Sequence, residues 1–303
     1  PEPTPHILLM GQGDPTALAS SIRDGTIRYL RRQHYDAYGA AVVERQGLTI
    51  AIVALSARPF EMRPVPRAMT EGQPIVVHGR LDEGWSQPRF AITLPDGSTE
   101  RLPAGTGPQF DVNIPTNIAG VHRVELLADG ADGPNVLANF PVYVGVPVPT
   151  SVRVASTDAE ASTQTPAEVG ETLLSLINEA RRADGKPPLE AHAGVAAVSA
   201  AHSLDMRDNG FVAHRSPTTG EPRERLDRAG ITSGLVLENI GRGYSAAEIH
   251  EGLMSSPGHR AAILNPDVTH VGIGVVVDPG RGRDGFLVTE VFLRINRAID
   301  ATA

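Results

Sequence analysis

The apolar positions of the chain change their period several times, and the changes divide it. After Asp14-Pro15, residues Leu18, Ile22, Ile27 and Leu30 form an imperfect helical face. Asp14 stands at the N-cap of that helix and Pro15 at its first helical position. Residues 1–13 are punctuated by Pro and Gly and are expected to be irregular, apart from the apolar run Ile7 to Met10. Tyr38 to Val43 and Leu48 to Leu55 are β-rich runs joined by Glu44-Arg-Gln-Gly47, the pattern of an antiparallel hairpin. From 61 to 148 the pattern becomes short strands between turn signals: Pro74–His78, Arg89–Leu94, Phe110–Ile114, Val121–Leu126 and Phe140–Val144. Their spacing predicts a small immunoglobulin-like β-sandwich. Residues 149–164 are rich in Pro, Ser and Thr without periodicity and read as a linker.

The last part, 165–303, returns to helical periodicity. Thr165-Pro-Ala-Glu168 is a capping box, followed by Val169, Leu173, Leu176, Ile177 and Ala180. An alanine-rich helix from about His192 to Asp208 stops at Asn209-Gly210, a short one spans about Pro222 to Arg228, and Pro257 interrupts another that starts at Ser245. His270–Val277 and Gly285–Arg294 read as a terminal hairpin. Helices followed by a hairpin predict an α+β layered domain.

Composition narrows the function classes. A net charge of −8 argues against nucleic acid as the main partner, since phosphate binding needs concentrated Lys and Arg. The chain has no Cys, which removes disulfides, thiolate zinc sites and thiol catalysis together. No apolar run reaches membrane-spanning length. Pro1-Glu-Pro-Thr-Pro5 is no signal peptide, and a processed or trimmed chain is expected to start this way. His78, His122, His192 and His202 read as structural, and Trp85, the sole tryptophan, as a loop residue folded onto the sandwich edge.

Chemistry concentrates between Phe211 and Arg260, in Phe211-Val-Ala-His214, Leu237-Glu238-Asn-Ile240 and Ser256-Pro-Gly-His259-Arg260. These stretches read as loop or helix edge, the usual carriers of site residues. His214 and His259 are 45 positions apart, so only the fold can bring them together. Two imidazoles, one carboxylate and a water satisfy a catalytic-type zinc site; the bland alternative is a hydrogen-bonded cluster that ties loops to a sheet. Other catalytic signals fail. His250-Glu251-Gly-Leu-Met254 has Met where a zincin helix needs its second His, and Gly243-Tyr-Ser245-Ala-Ala247 lacks the closing Gly of a nucleophile elbow.

Read in order, Leu176-Ile-Asn-Glu-Ala-Arg-Arg182 with Pro187-Pro-Leu189, Phe211–His214, Glu221-Pro-Arg-Glu-Arg225, Glu238–Ile240, Ser256–Arg260 and Val271-Gly-Ile-Gly274 resemble the bacterial branch of the CAP superfamily. That superfamily comprises cysteine-rich secretory proteins, antigen 5 and plant pathogenesis-related proteins. The resemblance, over about 165–296, implies an α-β-α sandwich. It also implies an extracellular, cell-surface or periplasmic location, and a cleft of two His and two acidic residues that holds zinc in some members. His214, His259 and Glu238 match cleft positions and are the metal candidates. The second acidic position falls where this chain has Ser255-Ser256, so Glu290 in the last strand becomes the substitute, and Glu238 and Glu290 are the catalytic candidates.

Sliding the chain by 233 positions sets Gly25 on Gly258, Gly39 on Gly272 and Val42-Val43 on Val275-Val276. Residues 1–60, a helix plus hairpin, then read as a degenerate half of a CAP-like domain with Thr26 at the His259 position. Chance similarity of two helix-hairpin units is the alternative. Such a unit has too little core to stand alone and is expected to pack on the sandwich, on an upstream fragment or on another subunit. The resulting expectation is an extracytoplasmic protein that binds a lipid, glycan, cell-wall component or protein through a cleft able to hold Zn(2+). A zinc-dependent hydrolase acting on peptide or wall substrates is the first alternative, and a structural subunit of a surface assembly the second.

Overall fold

In the computed structural model, which describes residues 2–3, 6–30, 35–45, 48–131, 133–150, 164–279 and 284–295, Asp14 caps the first helix. Its Oδ1 accepts from the backbone N–H of Thr16 at 3.0 Å and of Ala17 at 3.2 Å. The chain divides into two units, 1–131 with 135–148, and 132–134 with 149–303.

In the first unit, β1 (Glu2–Pro3) and β2 (His6–Gly13) precede α1 (Pro15–Leu30), β3 (Ala37–Arg45) and β4 (Leu48–Ser56). The expected irregular stretch 1–13 is therefore corrected. β2 pairs antiparallel with β4 over its whole length, from His6 opposite Ser56 to Gly13 opposite Thr49. Its Gly residues weaken strand propensity, but the ladder satisfies backbone groups along one side of β4, and that context prevails. β3 pairs antiparallel with β4, in the order β2-β4-β3. α1 lies against β2 and β4, where Leu18, Ala51 and Leu55 are buried.

Next come β5 (Phe60–Met62), β6 (Ala68–Met69), β7 (Ile75–Leu81), β8 (Ser86–Thr93), β9 (Thr99–Pro103), β10 (Gln109–Ile114), β11 (Gly120–Gly130) and β12 (Gly133–Val144). One sheet runs β1-β12-β11-β8-β9 with β6 added to β12, the other β10-β7-β5. Alternation is strict in β10, where Phe110, Val112 and Ile114 are buried and Asp111 and Asn113 exposed. Both sheets feed one apolar core, and Trp85 packs against its rim. His122 is buried with Nε2 against the Ile118 carbonyl at 2.8 Å, whereas His78 pairs with Asp111 at a half-exposed position. Most of the stretch read as a linker, 151–163, lies outside the described residues.

The second unit contains α2 (Pro166–Ala183), β13 (Glu190–Ala191), α3 (Ala193–Asn209), α4 (Pro222–Arg228), β14 (Val236–Gly243), α5 (Ala246–Ser255), α6 (Pro257–Ile263), β15 (His270–Asp278) and β16 (Gly285–Leu293). The Thr165 capping box forms in full, and Gly210 ends α3 in the left-handed conformation at φ 69°. The sheet order is β13-β15-β16-β14. α3 covers one face, while α2 and α5 cover the other, giving an α-β-α stack. Gly272 and Gly274 make the α3 face possible, because a Cβ on either would lie within 2.5 Å of α3 backbone. Arg181 is fully buried and ties α2 to the end of α6. Its Nε donates to the Pro187 carbonyl at 2.8 Å, and its Nη1 to those of Ile263 and Asn265 at 2.7 and 2.9 Å. Among the described residues no helix is long and apolar enough to cross a membrane.

Candidate functional site

Glu238 lies not on a loop but in β14, an edge strand paired with β16 from Val236 opposite Leu293 to Gly243 opposite Phe286. Asn239, Gly241 and Gly243 make the stretch look like a turn, yet continuous pairing with β16 holds it extended. Successive strand residues project to opposite faces, so Glu238, opposite Val291, faces α3, and Asn239, opposite Glu290, faces the α5 and α6 side.

The Glu238 side chain is 2% exposed, and both of its oxygens have partners. Oε1 accepts from His214 Nδ1 at 2.9 Å, and Oε2 from Arg225 Nη2 at 2.5 Å. A carboxylate so buried is tolerable only because it is paired and hydrogen-bonded. Arg225 also anchors the loop that carries His214: its Nη1 donates to the His214 carbonyl at 2.9 Å and to that of Gly220 at 2.6 Å. His202, from α3, donates Nε2–H to the Ala213 carbonyl at 3.0 Å and sits 4.0 Å from Glu238 Oε1. Burial pushes the His202 imidazole down, favouring its neutral form. Asp205 braces the same loop by accepting from the hydroxyls of Ser216 at 2.5 Å and Thr218 at 3.0 Å.

His259 reaches the site from α6, which lies against β14. Its Nδ1 is 2.6 Å from the hydroxyl of Ser256, the residue at the N-cap position of α6. Burial lowers the His259 pKa to about 4, and nearby His214 pushes it the same way. The two imidazoles are therefore within electrostatic reach of each other, and His259 is neutral at neutral pH. Each ring is held through Nδ1, by Glu238 for His214 and by Ser256 for His259.

Glu290 is fully buried, with Oε2 accepting from Asn239 Nδ2 at 3.2 Å and Oε1 without a partner. Burial raises its pKa to about 7, partly opposed by the Asn239 hydrogen bond. Asn239 Nδ2 also contacts the His259 carbonyl at 3.2 Å, which links Glu290 to the backbone of α6.

The two candidate carboxylates occupy different settings. Among the described residues no three His, Asp or Glu side chains converge as a metal-binding group. Glu238 points its oxygens at His214 and Arg225, not into a shared coordination site. Glu290 is on the other face of the sheet from Glu238, enclosed rather than open to the cleft. Arg225, Asn239 and Ser256 belong to the cluster without a role read from the sequence, and His202, read as structural, braces it. Arg225 was visible as the last residue of Glu221-Pro-Arg-Glu-Arg225, but an Arg in a short charged helix reads as solvated until the fold buries it.

Residues 174–292 match the model of the cysteine-rich secretory protein family, CAP. Every residue of the cluster falls inside that range. An uncharacterized protein of Bacillus subtilis, YkwD, is 36% identical over 105 residues, which are 34% of this chain and 41% of YkwD. The uncharacterized membrane protein YlbC of the same organism is 36% identical over 104 residues, 34% of this chain and 30% of YlbC. The chain thus spans less than half the length of either relative. Among solved structures, an extracellular protein containing an SCP domain from Bacillus anthracis superposes with a TM-score of 0.40 at 20% identity, covering 79% of this chain and 87% of that one. A cysteine-rich secretory protein from Staphylococcus aureus does so with a TM-score of 0.36 at 13% identity, covering 89% and 90%.

Proposed function

We propose, from the premise that residues 174–292 form a CAP domain, that this protein binds an extracytoplasmic ligand through a cleft centred on His214 and His259. The observation that carries this reading is the way each imidazole is held. Glu238 accepts a hydrogen bond from Nδ1–H of His214, and Ser256 engages Nδ1 of His259. Among the described residues neither Nε2 has a hydrogen-bond partner, and His214 lies near enough to push the His259 pKa down after burial has lowered it.

This donor set fits a divalent metal in a revised form. Neutral imidazole nitrogens are good zinc ligands. A carboxylate behind a ligating His fixes its tautomer and raises its basicity, which is the part Glu238 plays here. His214 and His259 would hold the ion, and the other positions would go to water or to ligand atoms. Bound zinc would supply a Lewis-acid grip on an oxygen or nitrogen of the ligand. The ligand class is that of the envelope: a lipid, a glycan, a cell-wall component or a protein. An extracellular, cell-surface or periplasmic location belongs to the same reading. The β unit, read as an immunoglobulin-like sandwich, would act as a spacer or adhesive module, by analogy with such modules elsewhere.

The hydrolase alternative needs a carboxylate able to take a proton from attacking water. Glu238 is engaged on both oxygens, and Glu290 is enclosed on the opposite face, so neither favours it.

The test is zinc titration by calorimetry, with metal analysis of protein purified without chelator. One zinc per chain is expected, abolished in His214→Ala/His259→Ala and weakened about 10- to 100-fold in Glu238→Gln. A wild-type chain that takes up no zinc near neutral pH overturns the metal part of the reading.

A further inference from the structure

The row-by-row register of β2-β4-β3 matches that of β14-β16-β15. At one end, His6, Ser56 and Ala37 lie across β2-β4-β3, as Val236, Leu293 and His270 lie across β14-β16-β15. At the other, Gly13, Thr49 and Glu44 match Gly243, Phe286 and Val277. In both, a helical segment joins the first strand to the second and a hairpin follows. Leu55, Val53 and Ala51 occupy the rows of Phe292, Glu290 and Val288, the face toward α1 in one sheet and toward α5 in the other. The rows of Glu238, Asn239 and Glu290 hold Leu8, Leu9 and Val53. The scaffold is repeated and the chemistry is not.

What differs is the cover over the hairpin's outer strand. β15 has α2 on one face, α3 on the other, and β13 paired along its free edge. β3, its counterpart, has none of the three among the described residues. Tyr38 and Val42, in the rows of Val271 and Val275 that face α2, are 80% and 67% exposed. Val43 on the α3 face is 51% exposed, and a Cβ on Gly39 would meet nothing within 4 Å, although one on its counterpart Gly272 would strike α3. An edge strand this apolar, without Pro or charge from Ala37 to Val43, is a strong template for association. The three missing covers are consecutive in the second unit: α2, β13 and α3 form one segment, 166–209.

We infer that β3 and the sheet around it are the docking site for one helix–strand–helix segment of the α2–β13–α3 kind, lying N-terminal to β2 in the same polypeptide. Chain order in the second unit favours that source, because α2, β13 and α3 precede β14 there. A second copy of this chain pairing through β3 would satisfy the edge but leave both apolar faces open. The occupant's chemistry follows from the surface: a short strand along the edge, an apolar helix face over Tyr38 and Val42, and small residues where the backbone of Gly39 must be approached.

Amide hydrogen exchange tests this on the 303-residue chain and on the same chain lengthened by the residues its gene encodes ahead of Pro1, with sedimentation to give the mass of each. The expected result is exchange at β3 slowed about 100-fold or more in the longer chain, with both chains monomeric. Gly39→Val is the discriminating variant, expected to be harmless in the shorter chain and to abolish the added protection in the longer. β3 equally unprotected in both chains overturns the inference, as does an absence of any helix–strand–helix sequence ahead of Pro1. Protection that appears in the shorter chain with a concentration-dependent dimer also overturns it, because a second copy is then the occupant. Loss or retention of zinc at His214 and His259 has no bearing on these outcomes, so the two proposals fail separately.

Discussion

The sheets β2-β4-β3 and β14-β16-β15 share strand order, direction and register, yet one is covered on both faces and carries ionisable residues while the other leaves its outer strand β3 uncovered and carries none at the matching rows. The difference shows how burial and site chemistry depend on each other. Glu238 and Glu290 are sustainable in β14 and β16 because helices and loops bring Arg225, His214 and Asn239 to them. Without those partners, an enclosed carboxylate in the first sheet would cost several kcal/mol. Leu8, Leu9 and Val53, at the matching rows, need no such partners.

The largest expected effect breaks that support. Arg225→Met leaves Glu238 buried with one oxygen unpaired and should destabilise the second unit by about 3–5 kcal/mol. Exchange at β16 reports that unit alone, which matters because a chain of two units need not unfold in one step. A loss below about 1 kcal/mol would mean that Glu238 reaches solvent or another partner.

A matched pair of glycines gives the next effect. Gly272→Ala must push against α3 backbone 2.4 Å from the new Cβ and should cost about 1–3 kcal/mol. Gly39→Ala, in the equivalent row with open space around it, should be neutral or stabilising by up to about 1 kcal/mol. Equal effects in denaturant unfolding would remove the structural difference between the two sheets.

The smallest effect is a pH dependence hidden by cancellation. Burial raises Glu290 from 4.5 to about 7, so over that interval the folded chain keeps a proton that the unfolded chain has released. Its contribution to stability therefore declines as pH rises from 4.5 to 7. His259, lowered from 6.5 to about 4, lacks when folded a proton that the unfolded chain binds, so its contribution declines as pH falls from 6.5 to 4. Between 4.5 and 6.5 the two slopes oppose each other. Glu290→Gln should leave the acid-side decline uncompensated in metal-free protein, adding a slope of up to about 1.4 kcal/mol per pH unit. Parallel stability curves for wild type and variant would contradict the assignment.

Much of this architecture was legible in the sequence, where local signals agree with the fold. Asp14, the Thr165 capping box, Gly210 and Pro257 mark helix ends through their own backbone chemistry. β2 and β14 were not legible, since both contain Gly-X-Gly and are strands only because a long-range partner, β4 or β16, pairs with them. The His214, Glu238 and His259 grouping could be proposed from residue type and order, but their roles could not. Whether a carboxylate ligates an ion or holds an imidazole depends on which face of a strand it occupies and what packs there. One residue of register separates Glu238, beside His214 and Arg225, from Asn239, beside Glu290.

The central claim is that Glu238 orients His214 through Nδ1 and leaves Nε2 for a ligand, and nitrogen NMR of the imidazole rings tests it most directly. In metal-free protein near neutral pH, His214 should show the Nδ1–H tautomer, lost in Glu238→Gln, and zinc should shift the Nε2 resonances of both His214 and His259. An Nε2–H tautomer at His214 that ignores the Glu238 substitution would contradict the account, leaving the cluster as a brace between loop and sheet.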